Sequence, residues 1–150
     1  MGRKAVSAIF LTLLLSSMLA LTFNIHVSKS IVRLIVVPDD FPTIQEAINN
    51  ANERDTIFVN NGTYYENVNV WKAVTLIGED KETTVIDGGG SGNVITVSTD
   101  NVKISGFTIT DGSCGIRVSR YGYAIIKENR IINNNGWWGI DIDQSYDCAL

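Results

Sequence analysis

Two aspartates near the end of the chain have a spacing that could place two carboxylates side by side. Asp141 and Asp143 alternate with Ile140 and Ile142. Because polar and apolar residues alternate in a half-buried strand, both carboxylates should point away from the core, about 7 Å apart at two strand rises. Two flanking carboxylates can act as general acid and base on a glycosidic bond. They can also bind Ca²⁺, although two carboxylates alone supply too few oxygen ligands.

An arginine is expected beside these aspartates because the sequence repeats. The segment Gly115–Val118 (GIRV) recurs further along the chain as Gly139–Ile142 (GIDI), so stacked repeats would place Arg117 directly below Asp141. One arginine with two aspartates on an exposed face could hold a uronic acid, which makes Arg117, Asp141 and Asp143 candidate substrate-binding residues. The simpler interpretation is a solvated arginine–aspartate ladder, which contributes little to stability.

Aromatic residues cluster near the same segment. Trp137 and Trp138 occupy the insertion that lengthens the second repeat, and Tyr121, Tyr123 and Tyr146 lie in nearby predicted turns. Aromatic rings at a rim can stack on sugar rings while their polar edges form hydrogen bonds. Trp137, Trp138 and Tyr121 are therefore candidate carbohydrate-binding residues. The alternative is that one indole folds back over the edge of its coil.

The sequence predicts neither a disulfide nor a metal centre. The interval between Cys114 and Cys148 is not a whole number of repeats, so the two thiols should lie on different sides of the coil. The only histidine, His26, lies at the boundary of the amino-terminal leader. We expect no cofactor, with Ca²⁺ at Asp141 and Asp143 as the weaker alternative.

The segment that carries these residues repeats itself at strand spacing. The pattern from Ile104 to Ile109 recurs from Ile126 to Ile131. A fixed interval of this size is typical of a solenoid, in which each unit buries its apolar side only against the next. Strands of about three to five residues, separated by Gly, Asn, Asp and Ser turns, predict an all-β fold, a right-handed parallel β-helix.

Before the repeats, the sequence predicts a strand and a capping helix. Ile31–Val37 is an apolar, β-branched run typical of a buried strand. Thr43 and Glu46 form a capping box at the start of a short α-helix. Its apolar stripe should cover the open end of the first coil; the stripe consists of Ile44, Ala47, Ile48 and Ala51.

Further short strands follow in quick succession. The segment Glu79–Thr83 interrupts them and should form a surface loop, and Asn60-Asn61-Gly62 is typical of a turn. The predicted strands are Thr56–Val59, Val68–Val70, Val74–Ile77, Val85–Ile86 and Val94–Val97.

Residues 1–30 are typical of a signal peptide or an amino-terminal membrane anchor. Arg3 and Lys4 precede an uncharged run from Ala5 to Ile25, which is longer than a usual signal-peptide core and nearly long enough to cross a bilayer. Either alternative predicts a secreted or surface-anchored protein, with the membrane contacted only through this segment. Asn61-Gly62-Thr63 is a sequon for glycosylation at Asn61.

The composition bounds the remaining classes of function. The 150 residues carry a net charge of −4 and a hydrophobic fraction of 45%, which is enough for one core and leaves no basic patch for nucleic acid. Residues 31–150 are predicted to form one β-helix domain. Leu150 aligns with Ile126, in the middle of a strand, so we expect a carboxy-terminally incomplete domain, a fragment of a longer solenoid. No feature identifies a specific protein partner.

The run FPTIQEAINNANERDTIFVNNGTYYENVNV, with VTLIGED and TVIDGG after it, resembles the pectin-lyase-like superfamily. It is similar to the amino-terminal segments of pectin methylesterases and of NosD-type β-helix proteins, and GIRVSRYGYAIIKENRIINNN resembles the parallel β-helix repeat of the latter. The resemblance implies the fold and leaves the activity open. The glutamines of the esterase site are absent near Ser113–Gly115 and Asn133–Gly136, so that activity is not expected.

These observations together predict a surface β-helix that binds polysaccharide or cell-surface glycan, with no complete catalytic site in this segment. One alternative is a polysaccharide lyase or glycoside hydrolase completed by further coils. The other is a structural spacer on the cell surface.

Overall fold

The structure is a computed structural model that describes residues 31–119, 123–136 and 138–143. In this part of the chain, short strands form three sheets in which every pairing is parallel, and one short helix accompanies them. The protein is a β-solenoid of about five turns, which confirms the fold predicted from the repeats.

After the first strand and the helix, each turn of the chain visits the three sheets in the same order. The first sheet contains β1 (Leu34–Val37), β2 (Thr56–Val59), β5 (Thr75–Gly78), β8 (Val102–Ser105) and β11 (Ala124–Lys127). From the first sheet the chain continues into the third sheet, which contains β3 (Gly62–Tyr65), β6 (Thr84–Asp87), β9 (Thr108–Thr110) and β12 (Arg130–Ile131). It then enters the second sheet, made of β4 (Val68–Val70), β7 (Asn93–Val97), β10 (Cys114–Val118) and β13 (Trp138–Ile142).

The core is a set of apolar columns that run along the solenoid axis. Ile57, Leu76 and Ile104 occupy matching positions on β2, β5 and β8 and are fully buried. Each such side chain contributes about 1.5–3 kcal/mol through removal of its apolar surface from water. Among the described residues, Phe107 is the largest fully buried side chain, and it lies at the corner between the first and third sheets.

The helix α1 (Ile44–Asn50) packs against β1, β2 and β4. Thr43 is its N-cap, and the Thr43 hydroxyl accepts a hydrogen bond from the Glu46 backbone N–H at 3.1 Å. The predicted apolar stripe, from Ile44 to Ala51, is buried. The helix therefore covers the end of the first coil as predicted.

Two predictions about strands need correction. Ile31 and Val32 are exposed, and the first strand begins only at Leu34. Just before it, the Arg33 backbone N–H donates to the Asp55 carboxylate, while the Arg33 carbonyl accepts from the Thr56 N–H of β2. The sequence also does not predict β3, because its turn-like Gly62 is the first residue of that strand.

The segment Glu79–Thr83 is an exposed loop, as predicted. Among the described residues, no helix is both long enough and apolar enough to cross a membrane. The predicted leader, residues 1–30, lies outside them.

Candidate functional site

The outer face of the second sheet carries a row of polar side chains in register. Asn69 on β4, Thr96 on β7, Arg117 on β10 and Asp141 on β13 occupy equivalent positions in successive coils. The apolar residues on either side of each point into the core, so these four side chains must point outward. We call this row, with Asp143 and Trp138 beside its last member, the second-sheet face.

Arg117 lies between the two aspartates at one end of this face. Its guanidinium is 3.3 Å from the Asp141 carboxylate and 3.4 Å from that of Asp143. The pairing follows from the register, because Arg117 and Asp141 are cross-strand partners, as the repeat predicted. All three side chains are partly exposed to solvent, so each ion pair contributes only about 0.2–1 kcal/mol to stability. The same exposure leaves the three charged groups accessible to a ligand.

The contacts of Arg117 bear on whether the two carboxylates could act on a glycosidic bond. A glycosidase needs one carboxyl group that can donate a proton and space between the two for substrate or water. Here one guanidinium contacts both carboxylates, so the two are bridged by a side chain of the protein itself. The same guanidinium pairs with both of the carboxylates that the sequence offers as Ca²⁺ ligands. Within the described residues, no group of three or more His, Cys, Asp and Glu side chains comes together as a metal site.

Trp138 lies on a strand and not in the insertion turn where it was predicted. It is the first residue of β13, pairs in register with Cys114, and is 61% exposed. The insertion falls earlier, between β12 and β13, because Ile131 still pairs with Ile109 at the shorter interval of the repeat. An exposed indole at the edge of the second-sheet face is suited to stacking on a sugar ring. Trp137 and Tyr121 lie outside the described residues, as do Tyr146 and His26.

Cys114 is a buried free thiol beneath the same strand. Burial raises the pKa of this thiol, and the nearby Asp141 carboxylate raises it further. A thiol with a raised pKa is a poor nucleophile at neutral pH. Cys114 is therefore a small packing residue, and Cys148 lies outside the described residues.

The helix that closes the first coil is held by side chains that the sequence did not indicate. The Glu66 carboxylate accepts hydrogen bonds from the backbone N–H groups of Ile44 and Gln45, at 2.9 and 3.0 Å, at the amino end of the helix. The Lys72 ammonium donates to the carbonyls of Asn49 and Ala51, at 2.7 and 2.8 Å, at the other end. Each charge complements the helix dipole and satisfies groups that have no partner inside a helix.

Trp71 belongs to this cap. Its side chain is 47% exposed, its indole Nε1 donates to Asn49 at 3.4 Å, and the Lys72 ammonium lies 4.4 Å from the ring centroid. One face of the indole is therefore already occupied by a cation. For this reason Trp138, and not Trp71, is the aromatic residue that we assign to the candidate site.

Asp55 anchors the other side of the cap. Its carboxylate is fully buried and accepts hydrogen bonds from the backbone N–H groups of Arg33 and Asn52, both at 2.8 Å. The Arg33 guanidinium lies 3.0 Å away. Burial by itself would raise the pKa of Asp55, but these hydrogen bonds and the guanidinium outweigh it and hold the pKa below 3.8, its ordinary value.

The sequon residue Asn61 is exposed in the turn between β2 and β3. Its side-chain amide donates to the Glu79 carboxylate at 3.1 Å. The amide nitrogen has two hydrogens, so this bond leaves one for a glycosidic linkage. Thr63, which completes the sequon, is also exposed. The turn thus has the accessibility that glycosylation requires.

The chain has a relative among the curated proteins. It is 30% identical, over 131 residues, to a protein described as a cell surface glycoprotein from Methanothermus fervidus. The match covers 84% of this chain and 22% of that protein, so the chain spans about a fifth of the relative's length. No protein family matches the chain, and no solved structure does. This likeness and the β-solenoid fold fit a surface protein.

Proposed function

We propose that this protein is a cell-surface solenoid that binds polysaccharide through the second-sheet face. The observation that carries the proposal is the arrangement of Arg117 between Asp141 and Asp143, with the exposed indole of Trp138 on the same strand as Asp141. The relative described as a cell surface glycoprotein supports the location.

The face offers the kinds of contact that a sugar needs. The Trp138 ring can stack on the apolar face of a pyranose, while the charged side chains hydrogen-bond its hydroxyl groups. Successive coils are about 4.8 Å apart, so Asn69 and Thr96 continue the polar row along the solenoid axis. A polymer lying along this row would meet one polar side chain per coil.

Binding to a panel of neutral and acidic polysaccharides, measured by calorimetry so that the signal does not depend on an indole, tests the proposal. We expect saturable binding by the wild-type protein and a loss of binding in the Trp138→Ala variant. Tyr65→Ala is the matched control, because Tyr65 is 77% exposed on the third sheet, away from this face. Equal binding by the wild type and Trp138→Ala would refute the assignment of the site.

A structural spacer is the second candidate function. It is favoured by the fact that Arg117 is already paired with both aspartates, which is what an ordinary solvated ladder looks like. The same experiment separates the two functions. If a folded protein binds none of the polysaccharides, the spacer becomes the better account.

A further inference from the structure

A second surface feature lies at the corner where the chain passes from the second sheet to the first. An open pocket is present there, away from the Arg117 site. Its lining consists of Glu53, Arg54, Ala73, Thr75, Asn101 and Lys103.

The pocket exists because short side chains are stacked between long ones. Thr75 on β5 pairs in register with Lys103 on β8, and the Arg54 backbone N–H donates to the Ala73 carbonyl at 2.6 Å. Ala73 and Thr75 therefore form the floor, with Arg54 from the coil below and Lys103 from the coil above as walls. Asn101 precedes β8 and completes the rim.

The charges in the pocket favour an anion. Within the described residues, the salt bridges of the chain do not involve Arg54 or Lys103. The one carboxylate in the lining, that of Glu53, accepts a hydrogen bond from the Ala73 backbone N–H at 2.9 Å. Two cations and one anion leave a net positive charge, and Thr75 and Asn101 add neutral hydrogen-bond donors.

We infer that this corner pocket binds an anionic group, a sulfate or a carboxylate, on a polysaccharide chain. Arg54 and Lys103 hold the charge from two sides, and the Thr75 hydroxyl and Asn101 amide bond its oxygens. The inference takes polysaccharide as the ligand from the proposed function, and it adds a site that is separate from the second-sheet face.

Three polymers with one backbone test the inference: dextran, carboxymethyl-dextran and dextran sulfate, with affinity for the full chain measured by calorimetry at low ionic strength. At least one charged polymer should bind more tightly than dextran. Comparing carboxymethyl-dextran with dextran sulfate then shows whether the pocket prefers carboxylate or sulfate. Arg54→Gln/Lys103→Gln should weaken that binding about two- to thirtyfold, as expected for two exposed ion pairs. The affinity of this double variant for uncharged dextran should equal that of the wild type.

The matched control is Lys81→Gln/Lys127→Gln, which removes two exposed lysines outside the pocket. It should bind the charged polymers like the wild type. Circular dichroism establishes that both double variants are folded. Three results would overturn the inference: no preference of the wild type for a charged dextran, unchanged binding in the pocket variant, or an equal loss in the control, since an equal loss indicates general charge attraction.

Discussion

Replacing Asp55 with asparagine should destabilise the amino-terminal end of the solenoid by about 3 kcal/mol. In the native protein, Oδ1 accepts the Arg33 backbone N–H, and Oδ2 accepts the Asn52 backbone N–H and the Arg33 Nε–H. Asparagine would keep the bond at Oδ1 and present an NH₂ group to the two other donors. The Asn52 N–H would then have no acceptor.

The magnitude follows from the burial of the two partners. Breaking a fully buried ion pair costs about 3–5 kcal/mol, and a hydrogen bond to a charged group is worth about 1.5–3 kcal/mol. Asp55 is fully buried, but the Arg33 side chain is 47% exposed, so water can solvate the guanidinium after the change. We therefore expect a loss near the low end of the range for a buried pair.

The pH dependence provides the sharper assay. Because the folded-state pKa of Asp55 lies below 3.8, the carboxylate contributes stability that is fully present above the unfolded-state pKa and is lost as the pH falls through the folded-state pKa. Urea unfolding of the wild type and Asp55→Asn, measured between pH 7 and pH 3, should show a constant difference near neutrality. The difference should shrink once the pH falls below about 4.

Asp39→Asn is the control for this experiment, because Asp39 is an exposed aspartate close to the same end of the chain. It should change the free energy of unfolding by less than about 0.5 kcal/mol. A difference between wild type and Asp55→Asn that stays constant down to pH 3, or one no larger than that of the control, would show that the charge of Asp55 does not hold the cap.

Three further predictions concern a corner, a thiol and a turn. Gly106→Ala should cost at least about 2 kcal/mol in urea unfolding, because Gly106 has φ +82° and an added Cβ would clash with the Gly78 carbonyl oxygen; a near-neutral change would contradict this packing. In a Cys148→Ser variant, the Cys114 thiol should react with a thiol reagent far more slowly in the folded than in the unfolded protein, because burial raises the pKa of the thiol and shields the sulfur. Equal rates would mean that the thiol is accessible. Expression in a host that glycosylates asparagine in secreted proteins should add a glycan mass that Asn61→Gln removes, since Asn61-Gly62-Thr63 is the only such triplet in the sequence; the same mass in both proteins would refute glycosylation at Asn61.

The solenoid was predictable because its information is local and repeated. The interval between Ile104 and Ile126 equals the length of one coil, and the structure places these two residues in register. The same reasoning placed Arg117 beneath Asp141. The prediction is less accurate where the interval between equivalent residues changes. The sequence pattern places the insertion at Trp138, but the interval lengthens between Ile131 and Trp138, and Trp138 itself is in register with Cys114.

The contacts that close the first coil could not be predicted in this way. Glu66 is 22 residues from Ile44, and Lys72 is 23 residues from Asn49. Nothing in their local sequence distinguishes them from ordinary surface charges. Their partners are backbone groups at the helix ends, which become neighbours only when the coil has formed. A capping box was predicted from Glu46, but the carboxylate that caps the helix comes from Glu66.

The open edge of the first coil shows how side chains can replace a missing strand. On β4, the Asn69 backbone N–H donates to the Gln45 side-chain oxygen at 2.8 Å, and the Asn69 carbonyl accepts from the Gln45 amide at 3.2 Å. On β1, the Val36 N–H donates to the Asp40 carboxylate and the Val36 carbonyl accepts from the Asp40 backbone N–H, both at 2.7 Å. Both edges thus have partners that block pairing with another chain.

This closure also bears on the proposed sugar-binding face. Asn69 is the first member of the polar row, and the Ser98 hydroxyl in the next coil donates to its side-chain oxygen at 3.4 Å. Because Gln45 fixes the backbone of Asn69, the helix sets the position at which the row begins. The far end of the row is held differently, by Arg117 and its aspartates. Loss of the helix contacts should therefore disorder the Asn69 end of the face first and leave the Trp138 end intact, since each coil of a solenoid is supported mainly by its immediate neighbours.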